Sequence, residues 1–162
     1  MNIYGYCRIS TAKQSIDRQI RNIKAEYPTA HIVQEAYTGT SIFRPEWLKL
    51  YRILKSGDTV VFDSVSRMSR NAEEGFALYE DLYHKGIRLV FLKEHHIDTE
   101  TYKKALSGSI AMTGTNVDFI LKGINEYLMA LAKEQIKLVF EQSEKEVADL
   151  HQRTREGLLT AR

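Results

Sequence analysis

Two short stretches gather the residues best suited to handling a phosphate. Tyr6-Cys7-Arg8-Ile9-Ser10 sets an arginine two positions before a serine, and Ser66-Arg67-Met68-Ser69-Arg70 sets two arginines three positions apart. Arg44 lies in a loop before a helix, and Gln19 lies one helical face along from Ser15. A guanidinium is a planar fork that matches phosphate oxygens and stays charged at any working pH. A serine hydroxyl among such forks is a candidate nucleophile toward phosphorus. The arginines would hold the nonbridging oxygens while charge builds in a pentacovalent transition state, and losing one such donor typically costs about 3 kcal/mol of barrier. Any one of these arginines, taken alone, reads most simply as a surface ion-pair residue, with Glu46, Asp58, Asp63, Glu73 and Glu74 at hand as partners. Ser10 alone reads as a helix cap. The conjunction of Arg8-x-Ser10 with Arg67-x-x-Arg70 is what points to chemistry.

Other motifs fail. The sequence has no Gly-x-x-x-x-Gly-Lys loop for nucleoside triphosphates and no Gly-x-Gly-x-x-Gly for dinucleotides. Cys7 is followed six positions on by Lys13, where a cysteine phosphatase needs arginine. His95-His96 lacks an accompanying carboxylate–histidine helix spacing. Asp17, Asp58, Asp63 and Asp98 are scattered and do not read as a two-metal cluster. The expectation is a site with no metal and no cofactor. Trp47 is expected in the core.

The elements that must position these residues follow from periodicity. Ile3–Ile9, His31–Tyr37, Thr59–Phe62 and Ile87–Leu92 are β-rich runs, and Thr59–Phe62 is apolar throughout, as in a strand buried on both faces. Between them, Ser15–Tyr27, a segment opened by Pro45 and carrying Trp47, Leu50, Tyr51 and Leu54, and Asn71–His84 show helical spacing. The alternation predicts an α/β fold with a mostly parallel sheet of four to five strands and flanking helices. Ligands of such sheets bind at the carboxyl ends of strands, where both arginine stretches fall. Arg67 and Arg70 are expected one turn apart at the start of a helix.

After residue 96 the chain changes character. One or two helices are expected over Ile97–Thr115, broken by Gly108 and Gly114, with Thr115-Asn116-Val117-Asp118 as an N-terminal cap. Beyond it Val117, Leu121, Ile124, Leu128, Leu131, Gln135 and Val139 begin a stripe that predicts a helix from about Asn116 to Ala161, with Gly123 as a kink point. A layer of this size cannot bury such a helix, so part should project and pack on a second copy, the alternative being a hairpin folded back on itself. The organisation predicted is a catalytic core over 1–96 and a helical insert and long oligomerisation helix over 97–162.

Composition narrows the classes. Of 162 residues, 43% are hydrophobic and 27% charged, which is ordinary for a globular chain. Lys and Arg number 23 against 21 acidic residues, so the net charge is only +2 and any nucleic-acid site must be local. No apolar run approaches the ~18 residues of a membrane span, so no membrane partner is expected. The amino terminus lacks a secretion-signal layout. Cys7 is the sole cysteine, which excludes an internal disulfide and a Cys-rich zinc site and fits a reducing, cytoplasmic setting.

Taken together the motifs resemble the catalytic domain of the serine recombinases, the resolvases and DNA invertases. Tyr6-x-Arg8-x-Ser10-Thr11 with Gln14-Ser15-x-Asp17-x-Gln19 is similar to that family's first motif, Thr38-Gly39-Thr40-Ser41 with Arg44 to its second loop, and Ser66-Arg67-Met68-Ser69-Arg70-Asn71 to its third. Glu146 and Gln152-Arg153-Thr154-Arg155-Glu156-Gly157 resemble its long helix. The match covers roughly residues 3–95 and 140–160.

The resemblance implies that Ser10 attacks a phosphodiester of double-stranded DNA, forms a 5′-phosphoserine link and frees a 3′-hydroxyl, before strand exchange and religation without ATP or metal. It implies that Arg8, Arg67 and Arg70 contact the scissile phosphate, that Arg44 and Gln19 complete the site, that Tyr6 and Ser66 support it, and that Arg153 and Arg155 meet the DNA backbone. It also implies a homodimer in solution and a homotetramer in the synaptic complex.

Three departures stand out. Ser66 occupies the place of a frequent aspartate, which leaves the proton acceptor for Ser10 open. Ile53 stands where a lysine is frequent, and the 97–140 segment is longer than in small resolvases. No helix-turn-helix follows, so a C-terminal DNA-binding domain is expected to be missing from this chain. The competing reading is a non-catalytic α/β module that binds DNA or a phosphorylated ligand through the same arginines.

Overall fold

The computed structural model describes residues 1–9, 13–36, 44–69, 71–107 and 111–160, with only the backbone described for residues 9, 13–15, 105–107 and 147–160. Four strands, β1 (Ile3–Ile9), β2 (His31–Ala36), β3 (Thr59–Phe62) and β4 (Arg88–Phe91), form one sheet in the order β2-β1-β3-β4. Every pairing is parallel, with Tyr6 opposite Val33 on one side and Phe62 on the other, and Arg8 opposite Glu35. The helices are α1 (Lys13–Glu26), α2 (Pro45–Ile53), α3 (Val65–Met68), α4 (Ala72–His84), α5 (Thr99–Ser107) and α6 (Asp118–Thr160), with a 3-10 turn at His95–Ile97.

Strand alternation divides the core into two. One face carries Cys7, Val61 and Val90 against Ile16 and Ile23 of α1. The other carries Tyr6, Val60, Phe62, Leu89 and Phe91 against α2, α4 and α6. The chain therefore leaves β1 toward one face and β3 toward the other, so a crevice opens between their carboxyl ends. Gly5 lets α1 close on the sheet, because a Cβ there would stand 2.8 Å from Ile23 and 2.9 Å from Ile32. The free edge of β4 is covered by side chains that mimic a strand: Leu89 N–H donates to Thr99 Oγ1 (2.9 Å) and Phe91 N–H to Asp98 Oδ1 (2.7 Å).

The expected strands and helices of the first 96 residues lie where periodicity put them, with most ends shifted by one or two residues, while of the helical stretch expected over Ile97–Thr115 the described part is the 3-10 turn and α5, which ends at Ser107. Asn71 caps α4 rather than entering it, its side chain accepting from Glu74 N–H. Two expectations change. Arg67 is not at the start of α4 but on a separate turn, α3, and Arg70 lies outside the described residues. The stripe read on the long helix shares only Val139 with the seam that packs on the sheet domain. That seam is Ala132, Ile136, Val139 and Phe140, with Ile136 and Phe140 buried. Phe140 reaches α4 at Gly75, where a Cβ would sit 2.7 Å from its ring. Periodicity failed here because α6 is apolar on more than one face. Its 43 residues extend about 65 Å at 1.5 Å each, well past the domain. Its first turns expose Phe119, Ile120, Ile124, Tyr127 and Leu128. No helix among the described residues is long and apolar enough to cross a membrane.

Candidate active site

The carboxyl ends of β1 and β3 build the site. β3 stops pairing at Phe62, opposite Tyr6, so β1 runs three residues further without that neighbour. Gln19 of α1 takes over: its amide oxygen accepts the Arg8 N–H (3.1 Å) and its amide nitrogen donates to the Arg8 carbonyl (2.9 Å). Both ends of the amide are used, and Gln19 is 1% exposed. In this structure Gln19 holds the main chain of Arg8.

Arg8 is buried and reaches across the crevice, Nη2 donating to the Ser66 carbonyl at 2.6 Å. Arg44, the residue before α2, donates from Nη1 to the Met68 carbonyl at 2.5 Å. Arg67, on α3 itself, directs Nη1 at the Arg8 carbonyl at 3.4 Å. Guanidiniums from β1 and the α2 entry are thus braced on the main chain of α3, and the one from α3 is directed back at the main chain of β1. Helix carbonyls at a C-terminus carry partial negative charge, which suits this use. The Ser66 hydroxyl does not replace an aspartate; it shares a 2.6 Å hydrogen bond with the Ser64 hydroxyl.

Three carboxylates that could have paired with these arginines are engaged elsewhere. Glu46 pairs with Lys49, Asp63 with Lys93 and Asn22, and Asp58 accepts the Asn2 and Lys55 N–H groups. That weakens the reading of the cluster as ordinary surface ion pairs.

Tyr6 is fully buried, edge-on to Trp47 at 5.2 Å between ring centroids. Burial pushes its phenol up to about 12, with Arg44 pulling it down and Glu35 adding to the rise, so the hydroxyl keeps its proton and serves packing and position. Cys7 points to the other face, its thiol pushed up to about 12 chiefly by burial and further by Asp63, which disqualifies it as a nucleophile at neutral pH.

Sequence reading missed the acids that cap the helices. Glu35 of β2 is 1% exposed and accepts the Trp47 N–H (3.1 Å) and the Glu46 N–H (3.4 Å), closing the start of α2. Burial raises its carboxyl above the ordinary value, opposed by those two hydrogen bonds. Glu94 accepts the Val65 N–H of α3 (3.1 Å), and Glu144 of α6 accepts the Ala72 N–H of α4 (3.1 Å). Only Glu35 had a local signal, an acid in strand register with the Tyr6 and Arg8 face. Because α2, α3 and α4 begin on the protein's own acids, an incoming anion is left to the arginines rather than to those helix starts.

Ser10, Arg70 and the Thr38-Gly39-Thr40-Ser41 loop lie outside the described residues, and Arg153 and Arg155 fall on α6 where only backbone is described. Of the sequence-predicted residues, the structure brings Arg8, Arg44, Arg67, Gln19, Tyr6 and Ser66 to one corner.

Comparison with known proteins points the same way. Residues 3–135 match the family model described as resolvase, N-terminal domain. The Transposon Tn21 resolvase of Escherichia coli is 31% identical over 91 residues, 56% of this chain and 47% of that protein. A resolvase of Clostridium perfringens is 32% identical over 99 residues, 60% of this chain and 52% of that one. The chain spans about half the length of these curated relatives. A crystal structure of a resolvase family site-specific recombinase from Streptococcus pneumoniae aligns over 99% of this chain and 97% of that one, at 20% identity and a TM-score of 0.49.

Proposed function

Since the chain belongs to the resolvase family through its N-terminal domain, we propose that it is the catalytic part of a site-specific recombinase that cuts and rejoins double-stranded DNA through Ser10. The observation that carries this reading is the mutual bracing of Arg8, Arg44 and Arg67 on the main chain of α3 and β1. Ser10 Oγ attacks the phosphorus of a DNA phosphodiester and loses its proton. The bond to the 3′ oxygen breaks, and that oxygen takes up a proton and leaves as a hydroxyl. The 5′ phosphate remains esterified to serine. Arg8, Arg67 and Arg70 hold the nonbridging oxygens as negative charge grows, with Arg44 completing the set. Gln19 and Tyr6 act by position. Religation is the reverse attack by a 3′-hydroxyl, and the ester conserves the bond energy.

The proposed organisation is a catalytic core over 1–96 and an arm over 97–162. The arm serves a homodimer in solution and a homotetramer on DNA, with Arg153 and Arg155 toward the backbone. The exposed apolar residues at the start of α6 support association with a second copy. The relatives' greater length supports a DNA-binding part that lies beyond the aligned segment.

The test is covalent trapping. The chain, joined to a DNA-binding module of known site, is incubated with supercoiled plasmid under conditions that slow religation, and products are read on detergent gels. A protein–DNA adduct at the 5′ end that vanishes in Ser10→Ala is the expected result. Intact site binding with no adduct in the unsubstituted chain would replace this reading with a non-catalytic DNA-binding module.

A further inference from the structure

We propose that Glu94 is a positioning residue whose carboxylate, by holding the start of α3, sets the orientation of the Arg8, Arg44 and Arg67 guanidiniums together. The inference rests on the recombinase reading for its catalytic consequence but not for its structural content. α3 is a single turn, too short to be stable by itself. Its N-cap residue, Ser64, gives it no side-chain cap, since the Ser64 hydroxyl is turned to Ser66. The side chain that meets the first N–H of the turn, on Val65, is Glu94 at 3.1 Å, arriving from the loop after β4.

That loop is itself anchored. Leu92 N–H bonds the Phe62 carbonyl, Lys93 N–H the Asp63 carbonyl, Glu94 N–H the Phe91 carbonyl, and Ile97 N–H the Glu94 carbonyl. Glu94 therefore ties a rigid support to a short turn. The other end of the turn offers the Ser66 and Met68 carbonyls to Arg8 and Arg44, while Arg67 projects from its middle. A rotation of α3 moves all three guanidiniums at once.

The charge balance agrees. Burial raises the Glu94 carboxyl above its ordinary value; the Val65 N–H, Lys93 and His96 oppose that rise, and Asp63 adds to it. Its charge, and with it the stronger form of the hydrogen bond, is lost as pH falls through that raised value. Glu94 thus supplies from 28 positions away the acidic support of α3 that Ser66 does not.

The experiment compares Glu94→Ala, Glu94→Asp and Glu94→Gln with the unsubstituted chain in two readouts. The first needs no DNA: arginine Nε–Hε NMR signals and hydrogen exchange of the Val65–Ser69 amides. In Glu94→Ala the Arg8, Arg44 and Arg67 signals should shift together, the α3 amides should exchange at least tenfold faster, and Arg52 and Arg88 should stay put. Glu94→Gln, which keeps an acceptor oxygen, should stay close to the unsubstituted pattern. The second readout is the rate of adduct formation in the fusion. Glu94→Ala should lower it on the order of a hundredfold at unchanged DNA affinity. Glu94→Gln should restore most of the rate at neutral pH and lose the acid limb of the pH profile. Arginine signals and α3 exchange unchanged in Glu94→Ala would overturn the proposal, as would its cleavage at the full rate. If Glu94→Ala fails to fold, Glu94→Asp decides, because its shortened reach should give the same pattern in smaller measure and its absence would count against the idea. If the unsubstituted chain forms no adduct, the recombinase reading fails while the NMR readout still judges Glu94.

Discussion

The arginine corner and the first turns of α6 are opposite solutions to the placing of awkward side chains. At the corner, like charges are gathered at a cost in repulsion, and the fold meets that cost with main-chain oxygens: the carbonyls of Ser66, Met68 and Arg8 each take a guanidinium. Gln19 and Glu94 fix the chain that offers those oxygens. Along early α6 the reverse holds. Phe119 is 83% exposed and Ile120 66%. Polar groups are over-determined where chemistry is proposed, and apolar groups are left open where a partner is proposed. The described guanidiniums of the corner find their partners within one chain, whereas the helix face leaves large apolar side chains in water.

The comparison is most exposed to attack at Arg67. If the corner exists to stabilise charge on a phosphate, Arg67→Ala should lower the adduct-forming rate by about 10²–10³-fold, the usual scale for one lost donor in such a site. Arg67→Lys should recover little, because a point charge cannot reproduce the planar fork. Quenched-flow trapping of the adduct reads both. A rate within a few-fold of the unsubstituted chain would make the corner a structural brace only.

The helix face predicts an effect on association rather than on rate. Ile120, Ile124 and Leu128 lie one turn apart along the exposed band. Replacing all three with aspartate should weaken self-association at least about a hundredfold, since each apolar side chain is worth roughly 1.5–3 kcal/mol when covered. Sedimentation equilibrium measures it. The unfolding midpoint should move far less, because these residues belong to neither buried core cluster of the described residues. An unchanged association constant would mean that the second copy packs elsewhere.

What the sequence disclosed divides along the same line. The alternating elements were legible because each is written within a few consecutive residues, as TVVF is for a doubly buried strand, and Arg8 and Arg67 were legible as cations at the ends of two such strands. The braces were not, because they join residues far apart in the chain. Gln19 meets Arg8, Glu94 meets Val65 and Glu144 meets Ala72 across separations of 11, 29 and 72 positions. A glutamate whose partner is a remote backbone N–H looks like any surface acid. On α6 the failure had a different cause. Several of its faces are apolar, so the period revealed a helix without revealing that Ile136 and Phe140 would be the residues against the domain.

The smallest effect sharpens the corner's electrostatics. Glu35 faces Arg8 across the β1–β2 pairing and caps α2, and burial holds its carboxyl above the ordinary value despite two N–H donors. A raised carboxyl means that the folded state binds more proton than the unfolded one between the ordinary value of 4.5 and the raised one. Unfolding free energy contributed by this group therefore falls as pH rises through that window, the opposite of a salt-bridged acid. Glu35→Gln keeps an acceptor for the Trp47 N–H and removes the charge. Its stability relative to the unsubstituted chain should grow as pH rises above 4.5 and then level off. Chemical denaturation at several pH values would show it. A difference that shrinks with rising pH would mean that the neighbouring guanidiniums outweigh burial, and that Glu35 belongs to the charge balance of the corner rather than to the capping of α2 alone.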